Sequence, residues 1–183
     1  MSKTVEQRLR KIKLLITDVD GVLTEGSIYL GNDGVELKRF SIHDGAAVAF
    51  ARVAGLKLAV ISGRYSPATE ARMKELGIEE DCYQGKLNKV KIYDELCQKY
   101  DLKDDEVAYI GDDLIDAAVM EKVGIALAVQ DAHPFIKEIA HHCTEAAGGE
   151  GAFREAVELI LKGQGLYEET LKTLRDRIAS KDE

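Results

Sequence analysis

The sequence predicts an α/β fold built on a doubly wound parallel sheet, and three observations predict it. Short uncharged aliphatic runs alternate along the chain with longer segments of helical periodicity, the pattern of strands joined by crossover helices. Several runs end in acids, glycine or serine, as strand ends do where a parallel sheet opens its ligand crevice. At 183 residues the chain suits one domain, residues 1–183, with a real core and little room for a second.

Residues 2–12 are polar and basic and read as a loose leader or short helix. Leu14, Leu15 and Ile16 form the first buried strand, which stops at Asp18-Val19-Asp20-Gly21. Residues 27–40 alternate around Asn32-Asp33-Gly34, a hairpin signal. Beside the first strand, that hairpin serves either as a flap over a site or as a plain extension of the sheet edge. Asp44 is the expected N-cap of a helix over 45–54 stopped by Gly55, and a strand over 57–61 then ends in Ser62-Gly63-Arg64. Pro67 opens a helix through Leu76, with Gly77 as its stop. Residues 81–83 read as a short strand, and 88–100 as a helix carrying Val90, Ile92, Tyr93, Leu96 and Cys97 at three- and four-residue steps. A strand over 106–110 ends at an acidic cluster. A helix over 114–122, a strand over 125–129, a helix opened by Pro134 and a helix over 152–161 complete the alternation. The tail, 166–183, is charged, with Leu171, Leu174 and Ile178 on one stripe; it predicts a weak amphipathic helix that orders only against a neighbour.

Composition narrows the function classes. A net charge of −8 argues against nucleic acid or an anionic membrane as partner, both of which want a basic face. It also means that a phosphorylated substrate is repelled unless a divalent cation and local donors reverse the sign at the site. Cys82, Cys97 and Cys143 are scattered without paired spacing, which points to reduced thiols and a cytoplasmic protein. No apolar run approaches the ~20 residues of a membrane span, and no secretory signal is evident.

The chemistry concentrates at strand ends. Asp18 and Asp20 are two apart in extended chain, so their side chains share a face about 6.5 Å apart along the strand. Such a pair can divide the labour of phosphate ester hydrolysis. Asp18 suits the nucleophile, because a carboxylate that takes the phosphoryl group splits one displacement into two. Asp20 suits the general acid and base, protonating the leaving oxygen and then activating water. Asp112, in Gly111-Asp112-Asp113, offers a hard oxygen ligand, and with Asp18 and the backbone carbonyl of Asp20 makes a partial shell for Mg²⁺. Asp113 and Asp116 support that shell. The Ser62 hydroxyl and Gly63 amide are donors for phosphate oxygens. Two other segments carry weaker signals. His141-His142-Cys143 has no second ligand pair at zinc spacing, and Gly148-Gly149-Glu150-Gly151 lacks the lysine and hydroxyl of a phosphate-binding loop.

Asp18-Val19-Asp20-Gly21-Val22, Ile61-Ser62-Gly63-Arg64, Lys89 and Gly111-Asp112-Asp113-Leu114-Ile115-Asp116 come in the order of the four motifs of the haloacid dehalogenase superfamily of phosphatases, which the chain resembles over about residues 10–165. The segments 40–45, Tyr83-Gln84-Gly85, Asp131-Ala132-His133-Pro134 and 148–155 resemble the branch that dephosphorylates the 8-phosphate of an eight-carbon sugar acid for lipopolysaccharide synthesis. The resemblance implies a Rossmann-like core, Asp18 as nucleophile, and Lys89, rather than Lys86 or Lys91, as the cation beside the transferred phosphoryl group. It implies a sugar-acid contact at Arg64, further contacts at Lys38 and His43 by the entrance, and a glycine-rich segment reaching a neighbouring subunit's site with Arg154 as its contact. Superfamily members usually insert a cap domain after the first or second motif. Here 41 residues separate Asp20 from Ser62 and 26 separate Ser62 from Lys89, and the hairpin, helices and strands use them up. No cap domain fits, so another subunit supplies the lid; the resemblance implies a tetramer.

Three functions are compatible with these residues. The first is the Mg²⁺-dependent phosphatase of the eight-carbon ester. A nine-carbon sialic-acid-type 9-phosphate phosphatase shares every catalytic motif. A phospho-signalling receiver module also carries an acidic cluster, a hydroxyl and a lysine on a parallel sheet, but Asp20, the hairpin and the glycine-rich tail argue against it.

Overall fold

A computed structural model of the chain describes residues 3–180; the first residue of the leader segment and the last three of the tail lie outside them. In chain order the elements are α1 (Lys3–Leu9), β1 (Leu14–Thr17), β2 (Tyr29–Leu30), β3 (Glu36–Leu37), α2 (Ile42–Ala54), β4 (Lys57–Ile61), α3 (Pro67–Leu76), β5 (Cys82–Tyr83), α4 (Lys89–Tyr100), β6 (Val107–Gly111), α5 (Ala117–Met120), β7 (Ile125–Ala128), α6 (Pro134–Ile139), β8 (His142–Cys143), α7 (Ala152–Gln164) and α8 (Tyr167–Ala179).

Six strands form one parallel sheet in the order β5-β4-β1-β6-β7-β8. The chain winds outward from β1 through β4 to β5, then returns to the other side of β1 and winds out through β6, β7 and β8. The winding therefore reverses between β1 and β6, where the connections leaving the two strand ends diverge and open a crevice. Every residue of β1, β6 and β7 is buried, which is why these strands read as uninterrupted apolar runs. Ile16 sits in register between Ala59 of β4 and Tyr109 of β6, which puts the residues following β1 and β6 side by side.

The hairpin stands apart. Tyr29 pairs with Leu37 and Leu30 with Glu36 in a two-stranded antiparallel ribbon that forms no ladder with the main sheet, so it is not an edge extension.

Several local expectations are corrected. Helix α2 starts three residues early because the Ser41 hydroxyl, not Asp44, caps it, accepting the His43 amide at 3.1 Å. Asp44 is buried and accepts the backbone amide of Arg154, in the first turn of α7, at 2.9 Å. The helix expected over 114–122 is a 3₁₀ turn at Leu114–Asp116 followed by the four residues of α5. The Asp116 carboxylate folds back onto the amides of Asp112 and Asp113, which tightens that first turn. Strand β8 has no counterpart in the sequence reading; two half-exposed residues leave no pattern. The tail orders on its own chain: Tyr167 stacks on Phe50 with ring centroids 6.1 Å apart, and Thr170 is buried. The leader is helical, with Val5, Leu9 and Ile12 buried and Leu9 filling the space left by Gly163.

Candidate active site

The first and fourth acidic segments meet at the crevice. Asp18 follows β1, with its amide donating to Ile110 of β6, and Asp112 follows β6 directly. One carboxylate oxygen from each of Asp18, Asp112 and Asp116 lies within 4.8 Å of the others. The open cleft above them is also lined by Asp20, Ser62, Gly63, Arg64 and Asp113.

Beneath the acids sits one buried cation. Lys89, the first residue of α4, is 2% exposed, a burial that a lysine tolerates only when paired. Its ammonium lies 2.9 Å from Asp18 Oδ1 and 2.7 Å from Asp116 Oδ1, and donates to the Tyr109 hydroxyl at 3.2 Å. Burial would lower the Lys89 pKa, but Asp18 and Asp116 more than offset it and hold the ammonium charged. Its position at the N-terminus of α4 follows from Asn88, whose side chain accepts the Lys91 amide and caps the helix.

Charge at the site is unbalanced. Burial, then Asp116, pushes Asp18 up to about 7 against the pull of Lys89. Burial, then Asp18 and Asp116, pushes Asp112 up to about 8. Asp112 Oδ1 is buried with no hydrogen-bond partner. Asp116, by contrast, is saturated: Oδ1 accepts from Lys89 and Tyr109, and Oδ2 accepts the amides of Asp112 at 3.0 Å and Asp113 at 3.3 Å. A divalent cation fits this donor set, with Asp18 and Asp112 as carboxylate ligands and Asp116 fixing the loop that carries Asp112. The Asp20 side chain is turned to Lys38, which leaves its backbone carbonyl as the atom for such an ion.

The second segment contributes a turn. Ser62 is buried at the end of β4; its hydroxyl donates to the Arg64 carbonyl at 2.8 Å and accepts the Arg64 amide at 3.2 Å. The hairpin's return strand reaches the same place. Lys38 Nζ lies 2.5 Å from Asp20 Oδ1, and Glu36 pairs with Arg64. Glu36 was not among the residues singled out by sequence, although its spacing of two from Lys38 places both on one face of that strand. Tyr109 was missed as well, its hydroxyl hidden in an apolar strand.

Two predicted residues stand outside the cleft of their own chain. His43 is exposed in the first turn of α2. The Arg154 side chain donates to Glu158 at 2.9 Å and lies over the Phe50 ring. The glycine-rich segment packs on the loop that follows β1 of the same chain. The Gly149 amide donates to Val22 at 2.9 Å, and a Cβ at Gly148 would stand 1.9 Å from the Gly21 carbonyl oxygen.

A sheet that reverses its winding at the strand bearing a paired-aspartate loop, with a buried lysine under that loop, defines a haloacid dehalogenase-type hydrolase; residues 80–154 match the haloacid dehalogenase-like hydrolase family. The 3-deoxy-D-manno-octulosonate 8-phosphate phosphatase of Escherichia coli is 45% identical over 169 residues, spanning 92% of this chain and 89% of that protein. The crystal structure of the Yersinia pestis phosphatase of the same name superposes with a TM-score of 0.89 at 44% identity, over 92% of this chain and 90% of the other. That of Moraxella catarrhalis, in complex with a magnesium ion, a phosphate ion and a KDO molecule, superposes at 0.91 with 34% identity, over 95% and 99%. The chain belongs to this phosphatase family.

Proposed function

We propose that the protein hydrolyses 3-deoxy-D-manno-octulosonate 8-phosphate to the free sugar acid and phosphate, with Mg²⁺ as cofactor and an aspartyl-phosphate on Asp18 as intermediate. The observation that carries this reading is the pairing of Asp18 with the buried Lys89 beside the unpartnered Asp112 oxygen. When bound, Mg²⁺ supplies positive charge to the phosphate oxygens and keeps the acids ionised. In the first half-reaction an Asp18 oxygen attacks phosphorus, the bond to the sugar oxygen breaks, and Asp20 delivers a proton to that oxygen. In the second, Asp20 takes a proton from water, the water oxygen attacks phosphorus, and phosphate leaves with the Asp18 carboxylate restored. Lys89 offsets the charge on Asp18 and the phosphoryl group, while the Gly63 amide and the Ser62 hydroxyl, turned from the Arg64 carbonyl, hold phosphate oxygens. Asp113 and Asp116 position the Asp112 loop.

Specificity falls to the cleft rim, where Arg64 and Lys38 face the sugar acid under the 27–40 flap. His43 and Arg154 serve a neighbouring subunit's cleft within a homo-oligomer, read as a tetramer from the family resemblance. The flap supports assembly: Ile28, Leu30, Val35 and Leu37 are each more than half exposed on a ribbon with unpaired edges. The whole chain, tail included, acts as a single domain. No described helix is long and apolar enough to cross a membrane. The reaction belongs in the cytoplasm, supplying free sugar for lipopolysaccharide precursors.

Steady-state turnover of the eight-carbon 8-phosphate and a nine-carbon 9-phosphate, each with and without chelator, tests the reading. The expected result is preference for the eight-carbon ester, abolished by chelator. Preference for the nine-carbon ester would overturn the substrate, and turnover indifferent to chelator would overturn the cofactor.

A further inference from the structure

Tyr109 is the middle residue of β6 and one of the largest fully buried side chains in the protein. An ordinary core tyrosine satisfies its hydroxyl on one acceptor. This hydroxyl donates to Asp116 Oδ1 at 2.6 Å and accepts from Lys89 Nζ at 3.2 Å. Burial and the surrounding acids hold its pKa well above the usual phenol value, so the group stays protonated and keeps donating. The local sequence makes room for this contact. Gly111 follows Tyr109 on the same face of the strand, and a Cβ there would stand 2.5 Å from Asp116 Oδ2, so the missing side chain is the space the carboxylate occupies.

Three oxygens surround the Lys89 ammonium: Asp116 at 2.7 Å and Tyr109 at 3.2 Å accept its hydrogen bonds, and Asp18 at 2.9 Å is its second ion-pair partner. Two of the three belong to the supporting pair rather than to the reacting carboxylate. Asp116 Oδ1 is the contested atom, because the ammonium and the phenol both donate to it. Without the phenol, that oxygen would bind the lysine alone, the ion pair would tighten, and one buried N–H would lose its acceptor.

We propose that Tyr109 is a positioning residue for phosphoryl transfer: by sharing the Asp116 oxygen and accepting a hydrogen bond from the lysine, it holds Lys89 against Asp18. Its action is indirect, through the two groups its hydroxyl hydrogen-bonds, Asp116 and Lys89. The proposal rests on the phosphatase reading above.

Tyr109→Phe keeps the ring and removes only the oxygen. Tyr93→Phe is the control, because Tyr93 is equally buried but donates to Asp104 at 2.5 Å, outside the cleft. For Tyr109→Phe the expected result is a fall in kcat of about ten- to a hundredfold, the scale of a hydrogen bond to a charged group, with KM and the Mg²⁺ midpoint within about threefold of wild type. Beryllofluoride, which mimics the phosphoryl group on an aspartate, should bind Tyr109→Phe more weakly by a similar factor. Tyr93→Phe should lower thermal stability and leave kcat unchanged. A folded Tyr109→Phe with wild-type kcat and wild-type beryllofluoride affinity would overturn the proposal. Equal losses of kcat in both variants would reduce the residue to a structural role and overturn it too. The unmodified enzyme supplies a measurement that no folding defect can remove: the Tyr109 hydroxyl proton resonance should shift when beryllofluoride and Mg²⁺ are added, and one that stays put contradicts the coupling. Wild-type protein that hydrolyses neither the sugar phosphate nor an aryl phosphate would instead sink the phosphatase reading, which separates the two failures.

Discussion

Lys38 and Asp20 meet at 2.5 Å, joining the return strand of the hairpin to the loop that follows β1. The lysine side chain is 1% exposed and the aspartate 29%, so the pair is shielded mainly on the hairpin side. It ties the ribbon to the proposed acid–base residue, since the hairpin cannot lift without breaking this ion pair.

Lys38→Ala should therefore impair chemistry as well as binding. The expected outcome is a fall in kcat/KM of about ten- to a hundredfold, with kcat contributing, because Asp20 loses its partner and its orientation. Steady-state kinetics decide it, and an effect confined to KM would assign Lys38 to the substrate alone.

Asp18→Asn should abolish turnover while leaving fold and assembly intact, since the amide fills the same volume but cannot accept a phosphoryl group. Asp20→Asn should slow both half-reactions. Rapid-quench trapping of labelled phosphate distinguishes them: no phosphoenzyme for the first, slow formation and slow decay for the second. Near-normal turnover in Asp18→Asn would end the nucleophile assignment.

Metal binding should be linked to pH in a stated direction. Asp18 rises to about 7 and Asp112 to about 8 in the metal-free fold, above an unfolded value of roughly 4. Between those limits the native state binds more protons than the unfolded chain, so metal-free stability declines as pH climbs from about 4 to 8. Cation binding requires both groups ionised and so releases protons. Thermal melts at pH 6 and pH 8 should give a lower metal-free Tm at pH 8 and a larger rise on adding Mg²⁺ there. An increment equal at both pH values would contradict the linkage.

Asp44 gives a second, metal-independent case. Burial pushes its carboxyl up to about 6 although it accepts the Arg154 amide, and its other oxygen has no partner. Its raised value means that stability is fullest below the unfolded pKa and is lost as pH rises through about 6. Asp44→Asn, which keeps an acceptor for α7 without the charge, should flatten that part of the Tm profile and match wild type or exceed it at pH 7.5. Asp44→Ala should cost about 1–2 kcal/mol through loss of a helix cap. Identical pH profiles for wild type and Asp44→Asn would refute the account.

The strand ends were the legible part of the sequence, because acids there interrupt otherwise apolar runs and keep fixed local spacing. Asp18, Asp112 and Lys89 converge as their motif order implied. Relationships between distant segments that no motif marks were not legible. Nothing near Asp44 announces that its acceptor serves Arg154 across 110 positions, and so the local N-cap rule chose it over Ser41. Nothing in the tail reveals Phe50 as the surface on which Tyr167 stacks. Glu36 and Tyr109 escaped for opposite reasons, one lost among ordinary surface acids of a hairpin and the other among the aliphatic residues of a central strand.

The contact between Gly148 and Gly21 has a consequence for how the enzyme can be lost. The floor under the loop that carries Asp18 and Asp20 is bare backbone from the far end of the polypeptide, with no clearance for a single methyl group. Alanine at 148 would tilt the loop that carries Asp18, so an inactivating lesion can arise well over a hundred residues downstream of the proposed nucleophile, with every acid and the lysine still in the gene.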